Sequence, residues 1–167
     1  MATALARTTR NARILILGNP VANRRDPVRL AEEMAMIDVL SKGRPEVGFV
    51  RGVPFEILPA NSRPTGMHER LWEAHDLITK AWTEHEGPFS WEATWQYRAV
   101  SIWPRPYQQP HPPIWVTGTS PGSIPPIADR RTWPHDGLLR DGARRGQAAV
   151  RRLPPHLRRD ARRRVFS

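Results

Sequence analysis

Between Arg13 and Val50 two short apolar runs flank one amphipathic segment that carries its own start and stop signals, and few folds accommodate that order. The run Ile14-Leu15-Ile16-Leu17 is continuously apolar, as suits a strand covered on both faces. Asp26-Pro27 marks a helix start, because an Asp side chain accepts backbone N–H bonds and proline fits the first helical position. Leu30, Met34 and Ile37 recur at helical spacing, and Val28, Ala31, Ala35 and Val39 widen the apolar stripe. Arg29, Glu33 and Met36 fall towards the other side, and Asp38 with Glu32-Glu33 reads as a solvated face. Lys42 and Gly43 supply the stop. A second strand is expected at Val47–Val50. Strand, helix and strand take about 37 residues, the length of a βαβ unit with parallel strands.

The pattern then recurs. A loop holding Pro54, Pro59, Asn61 and Pro64 leads to a helix over residues 67–83, with Leu71, Ala74, Ile78 and Ala81 on one face. A third buried strand is expected at Ile114-Trp115-Val116-Thr117. Between them, residues 89–113 alternate around Trp95 and Tyr97 and then fill with proline, which predicts a β-hairpin followed by an extended segment. The fold class expected from this order is α/β.

Charge divides the chain. Residues 1–120 hold 14 Lys+Arg against 12 Asp+Glu, whereas residues 121–167 hold 12 against 4, so the formal +10 belongs to the tail. That tail has six prolines and no sustained period, and Pro125-Pro126 is expected to stop any helix beginning at Pro121. Ala148–Leu153 offers one or two helical turns at most. The reading is a folded domain over 1–120 and a disordered, low-order basic tail over 121–167, whose Arg, Pro, Gly and Ala content is that of out-of-frame translation of a GC-rich gene. Its arginines lack aromatic interleaving, so nucleic-acid binding is the lesser reading of the charge. With no cysteine there is neither a disulfide nor a thiolate metal site. The longest aliphatic run, Ile14–Leu17, is far below the ~20 residues of a membrane span, and a cytoplasmic location is expected.

All three strands leave through similar chemistry: Leu17-Gly18-Asn19-Pro20, Val50-Arg51-Gly52-Val53-Pro54 and Thr117-Gly118-Thr119-Ser120-Pro121. In parallel α/β folds the carboxyl ends of the strands line the ligand site. Glycine there lets backbone N–H groups approach an anion or a flat ring, and the hydroxyls of Thr119 and Ser120 suit a phosphate. Turn formation alone also explains Gly, Asn and Pro after a strand. Among the six histidines His68 and His75 could share a helix face, but a two-histidine metal site needs closer spacing, so they read as surface or packing residues and no metal is expected. His111 reads as ordering the entry to the third strand, and Trp115 as a packing residue.

Several blocks together carry a resemblance. Arg13–Asn19, Asp26–Arg44 and Val47–Gly52 resemble the third strand, third helix and fourth strand of the bacterial-luciferase-like flavin-dependent monooxygenases. The stretch from Trp103 to Val116, with its Gln-Gln-Pro-His-Pro-Pro core, is similar to the segment entering that family's fifth strand. The resemblance covers roughly residues 5–120. It implies an incomplete (β/α)8 TIM barrel, about strands 3 to 5 with a β-hairpin insertion. It also implies reduced FMN at the strand carboxyl ends, O2 and a small organic substrate as reactants, and a separate flavin reductase as partner. Asn19 would sit near the flavin ring, Thr119 or Ser120 beside Gly118 near its phosphate, and Arg51 with Gly52 at the margin; no catalytic residue follows from it. A deazaflavin (F420)-dependent oxidoreductase on the same barrel is the enzymatic alternative. A non-catalytic remnant whose basic tail meets nucleic acid is the other. Because a full barrel takes about 250 residues, the chain is expected to be a truncated form, weakly active or inactive, with weak or absent flavin binding and self-association through exposed strand edges.

Overall fold

The computed structural model describes residues 1–118, 123–130 and 133–135. They fall into two compact units, Met1–Pro112 and Pro113–Ser167. The expectations for Ala148–Leu153 and for the order of residues 136–167 lie outside the described residues.

In the first unit a short helix, α1 (Ala2–Thr8), precedes strand β1 (Ile14–Pro20). Helix α2 (Pro27–Ser41) then connects to strand β2 (Pro45–Val50), which pairs with β1 in parallel. The expected cap is formed: Asp26 Oδ1 accepts the Arg29 backbone N–H at 3.1 Å, and Pro27 opens the helix. The stop is also as expected, with Lys42 (φ 55°) and Gly43 (φ 84°) both left-handed. Arg44 ties this end to the N-terminal helix, donating to the Ala6 and Ala12 carbonyls and the Thr9 hydroxyl.

The β1–β2 ladder slips once. Ile16 pairs with Val47 but Asn19 with Phe49, so one extra residue of β1 is accommodated opposite Gly48. A Cβ on Gly48 would lie 2.3 Å from the Leu17 carbonyl oxygen and 2.4 Å from Leu17 Cα, so only glycine allows the two backbones this close. Asn19 closes the bulge by donating from Nδ2 to the Ile16 and Gly48 carbonyls, at 3.1 and 3.0 Å.

Helix α4 (Met67–Thr83) follows the short α3 (Pro54–Ile57) and packs on α2. The core between them and β2 holds Leu30, Val47, Phe49, Leu77, Ile78 and Trp82, all fully buried. Trp82 is its keystone: the ring stacks on Phe49, and Nε1 donates to the Ala31 carbonyl at 2.9 Å. The expected hairpin is present as β3 (Phe89–Glu92) and β4 (Gln96–Val100), antiparallel. Its tryptophans are anchors: Trp91 Nε1 donates to Glu73 and Trp95 Nε1 to the Arg24 carbonyl, while the Tyr97 hydroxyl reaches Asp26. Burial, and then the Asp26 carboxylate it donates to, push the Tyr97 phenol well above its ordinary range.

Two expectations for α2 are corrected. Asp38 is wholly buried rather than solvated. Its two oxygens accept from Gln108 N and Nε2, each at 2.8 Å, so a carboxylate 70 residues upstream in sequence fastens the proline-rich segment. Val39, placed on the apolar stripe, is instead 41% exposed, beside Leu40. The last turn buries Asp38 and Ser41 instead, so its buried face is polar.

In the second unit strand β5 (Ile114–Thr117) pairs in parallel with β6 (Trp133–His135), with helix α5 (Ile124–Asp129) between them in sequence. Trp115 is buried, as a packing residue should be. Regular structure after Ser120 corrects the expectation that none would form. Pro125 and Pro126 open α5 rather than stop a helix, since first-turn N–H groups need no partner within the helix.

Candidate functional site

The exits of β1 and β2 bring several polar groups to the carboxyl end of the parallel pair. Asn19 is buried, and both of its amide hydrogens are committed to the bulge. The side-chain oxygen is therefore the group it can offer a ligand. Beside it the chain is open, for a Cβ on Gly18 would meet nothing within 4 Å.

Asn23, in the 3-10 turn Val21–Asn23, was not singled out by sequence reasoning. Its Nδ2 and Oδ1 are both buried without a hydrogen-bond partner. An unpaired buried amide costs on the order of 1–3 kcal/mol, and such groups persist where a ligand or ordered water completes them. Gly52 lies against it: at φ +94° a Cβ there would sit 2.6 Å from Asn23 Nδ2. Gly52 is thus required twice, by its backbone angle and by its neighbour.

Past Arg51 and Gly52 the chain enters α3, where Glu56 Oε2 accepts the Val53 N–H at 2.9 Å. The loop then returns to Gly66, which caps α4 at φ 74° without a side-chain hydrogen bond. These segments border an open cavity of about 330 Å³ lined by Arg51, Gly52, Ile57, Pro64, Met67 and His68, with Gly66 and Glu69. Ile57 and Met67 are buried and form apolar floor, whereas Arg51, His68 and Glu69 are exposed around the opening. Arg70 holds the wall in place through the carbonyls of Ala22, Arg63 and Thr65. His68 is exposed, as a surface histidine should be. Its Nε2 accepts from Trp72 Nε1 at 3.2 Å, and because an indole can only donate, Nδ1 carries the ring proton. The loop 53–66 has no period, and no signal in the sequence would have placed it around a cavity.

His75 is buried in the layer behind the strands, edge-on to Phe49 and Trp72. His111 stacks on Trp82 at 5.8 Å, and its Nδ1 lies 2.8 Å from the Pro112 carbonyl oxygen, in keeping with a structural role before β5. Burial first, and nearby His75 to a lesser degree, hold His111 below its ordinary value.

Of the expected site residues, Asn19, Arg51 and Gly52 stand at strand exits of the first unit. Gly118 stands at the exit of β5 in the second, where a Cβ would meet Ile127 Cδ1 at 2.7 Å. Thr119 and Ser120 lie outside the described residues. The open backbone at Gly18, the orphaned Asn23 amide and the cationic margin at Arg51 suit a flat ligand with hydrogen-bonding edges, as a flavin is. Among the described residues no cluster of metal-ligating side chains occurs, and no helix is long and apolar enough to cross a membrane.

Comparison with known proteins gives this geometry a context. The model of the luciferase-like monooxygenase family matches residues 1–164. The oxygenase component of the flavin-dependent trigonelline monooxygenase of Acinetobacter baylyi is 36% identical over 125 residues, which cover 71% of this chain and 33% of that protein. The crystal structure of monooxygenase RslO1 from Streptomyces bottropensis superposes with a TM-score of 0.77 at 28% identity, covering 96% of this chain and 47% of that one. The coenzyme F420 dependent tetrahydromethanopterin reductase from Methanopyrus kandleri is alike at a TM-score of 0.64 and 17% identity, covering 76% and 40%, which shows the fold alone. The chain spans about a third of the length of the curated relatives it matches. An α/β fold of parallel strands, matched over nearly its whole length, places the chain in the luciferase-like monooxygenase family.

Proposed function

We propose that this chain supplies strand exits of the flavin site of a monooxygenase that uses reduced FMN and O2 to oxidise a small organic molecule. The observation that carries the reading is the convergence at the exits of β1 and β2: open backbone at Gly18, an unpartnered amide at Asn23, and Gly52 held at φ +94° beside it. When bound, the reduced flavin supplies the electrons that activate O2. The residues of the chain then have defined tasks. Asn19 offers its side-chain oxygen to an N–H at the ring edge, while its own amide hydrogens keep the bulge closed. Gly52 removes the Cβ that would block the approach, and Arg51 holds an anionic group at the margin. Gly118, with the hydroxyls of Thr119 and Ser120 after it, receives phosphate. Ile57 and Met67 keep water from the floor of the neighbouring cavity, which takes the substrate. A flavin reductase delivers the reduced cofactor, and trigonelline, named for the Acinetobacter relative, is a first compound to try as substrate.

Titration of the purified protein with FMN and with F420, followed by cofactor fluorescence, tests the reading. FMN is expected to bind more tightly than F420, and Gly52→Ala to weaken it about tenfold or more, since the new Cβ collides at 2.6 Å. Preference for F420 would move the assignment to a deazaflavin oxidoreductase on the same barrel. Failure of both cofactors to bind at millimolar concentration would overturn it.

A further inference from the structure

The cavity between the exit of β2 and the first turn of α4 carries charges of both signs that nothing in the fold uses. Arg51 and Glu69 line it together, yet among the described residues neither forms an ion pair or a side-chain hydrogen bond, and they do not pair with each other. The contrast with their neighbours is sharp. Arg70, next in sequence to Glu69, commits its guanidinium to three backbone carbonyls, and Glu56 is committed to the Val53 N–H. Arg51 and Glu69 thus offer free charge at this opening, above a floor of Ile57 and Met67.

We propose that this cavity binds a small zwitterion, its carboxylate on Arg51 and its cationic centre beside Glu69. The proposal deepens the monooxygenase reading by naming the class of its substrate, and it rests on that reading for the word substrate but not for the binding. Charge arithmetic selects the class. A simple anion gains Arg51 and is opposed by Glu69; a simple cation meets the reverse; a neutral molecule gains from neither. Only a ligand with both signs answers both. The α4 N-terminus adds to the anion side, since Gly66 caps it without a side chain and leaves first-turn N–H groups unsatisfied. His68, held by Trp72, lines the same opening. A volume of about 330 Å³ is at the small end of ligand cavities, room for one substituted ring over the apolar floor.

The test uses four probes on one ring and no flavin: trigonelline (N-methylpyridinium-3-carboxylate, zwitterion), nicotinate (anion), N-methylpyridinium (cation) and nicotinamide (neutral). Binding is read by calorimetry and by tryptophan fluorescence, for which Trp72 is a local reporter through His68. Trigonelline is expected to bind about tenfold more tightly than any of the other three. Arg51→Gln should abolish that advantage, Glu69→Gln should reduce it about threefold, and Arg51→Lys and Glu69→Asp should retain most of it, which separates charge recognition from misfolding. Equal affinity for all four probes, no binding of any, or an advantage that survives both glutamine variants would overturn the proposal. A parallel FMN titration separates it from the reading it rests on. Flavin binding without zwitterion preference overturns only the substrate class, and zwitterion preference without flavin binding overturns only the oxygenase.

Discussion

The layer between β2 and helices α2 and α4 and the loop that follows β2 lie next to each other in sequence and are built on opposite terms. In the layer most large groups are answered: Phe49, Leu30, Ile78 and Trp82 are fully buried, the Trp82 indole has its carbonyl, and Asp38 has two donors, while His75 Nε2 is buried there without one. In the loop, Phe55 and Leu58 are each 77% exposed and Arg51 has no partner among the described residues; beside it Glu69 on α4 has none either, and the Asn23 amide after β1 is buried unpaired. The charges left without partners in the loop stand at an opening, where a ligand can reach them. The layer holds the strands in register, and the loop spends that rigidity on a binding surface.

Substitutions can break the comparison, and the largest effect belongs to the layer side. Gly48→Ala forces a Cβ to 2.3 Å from the Leu17 carbonyl oxygen, and chemical denaturation should show a loss of about 3 kcal/mol or more, or no folded protein. Gly18→Ala, across the same bulge, meets nothing and should change stability by less than about 1 kcal/mol. Asp38→Ala removes two hydrogen bonds to Gln108, leaving its backbone N–H without an acceptor while Nε2 keeps the Pro45 carbonyl, and should cost about 1–3 kcal/mol by the same measurement. A smaller effect is set by pH. His111 is held below its ordinary value of 6.5 in the fold, so the unfolded chain binds its proton first as pH falls. Stability from this group should be intact above pH 6.5 and drain away as pH drops from there through the lowered folded value. His111→Gln should flatten that part of a stability–pH profile. The smallest effect belongs to the loop: Arg51→Gln should leave the thermal midpoint almost unchanged, because no contact within the fold depends on it.

Sequence made the layer legible where its signals were local. The cap at Asp26, the stop at Lys42-Gly43 and the period of α4 need only neighbours a few residues away, and each formed as read. Asp38 was illegible for the opposite reason: on a helical wheel it resembles Glu32 and Glu33, and its partner Gln108 is 70 residues distant. The prolines of α5 misled because the same residue that ends a helix in its interior begins one in its first turn. Of the site, the glycine exits could be named, since glycine before a turn is a local signal. The cavity could not, because the loop 53–66 has neither period nor repeat, and its walls are set by Arg70 reaching back to carbonyls that only the fold assembles. The blocks that resemble the luciferase-like family supplied what periodicity could not, and the family match over residues 1–164 bears that resemblance out.

The claim that the strand exits are the working surface, and the packed layer only their support, is tested most directly by mapping backbone amide shifts of 15N-labelled protein during titration with FMN. The account predicts shifts concentrated at Gly18, Asn19, Asn23, Arg51, Gly52 and Gly118, and little change at Ile14, Glu46 and Ile114, where the same strands begin. Shifts centred on those strand starts or on the outer face of α2, with the exits unmoved, would contradict it.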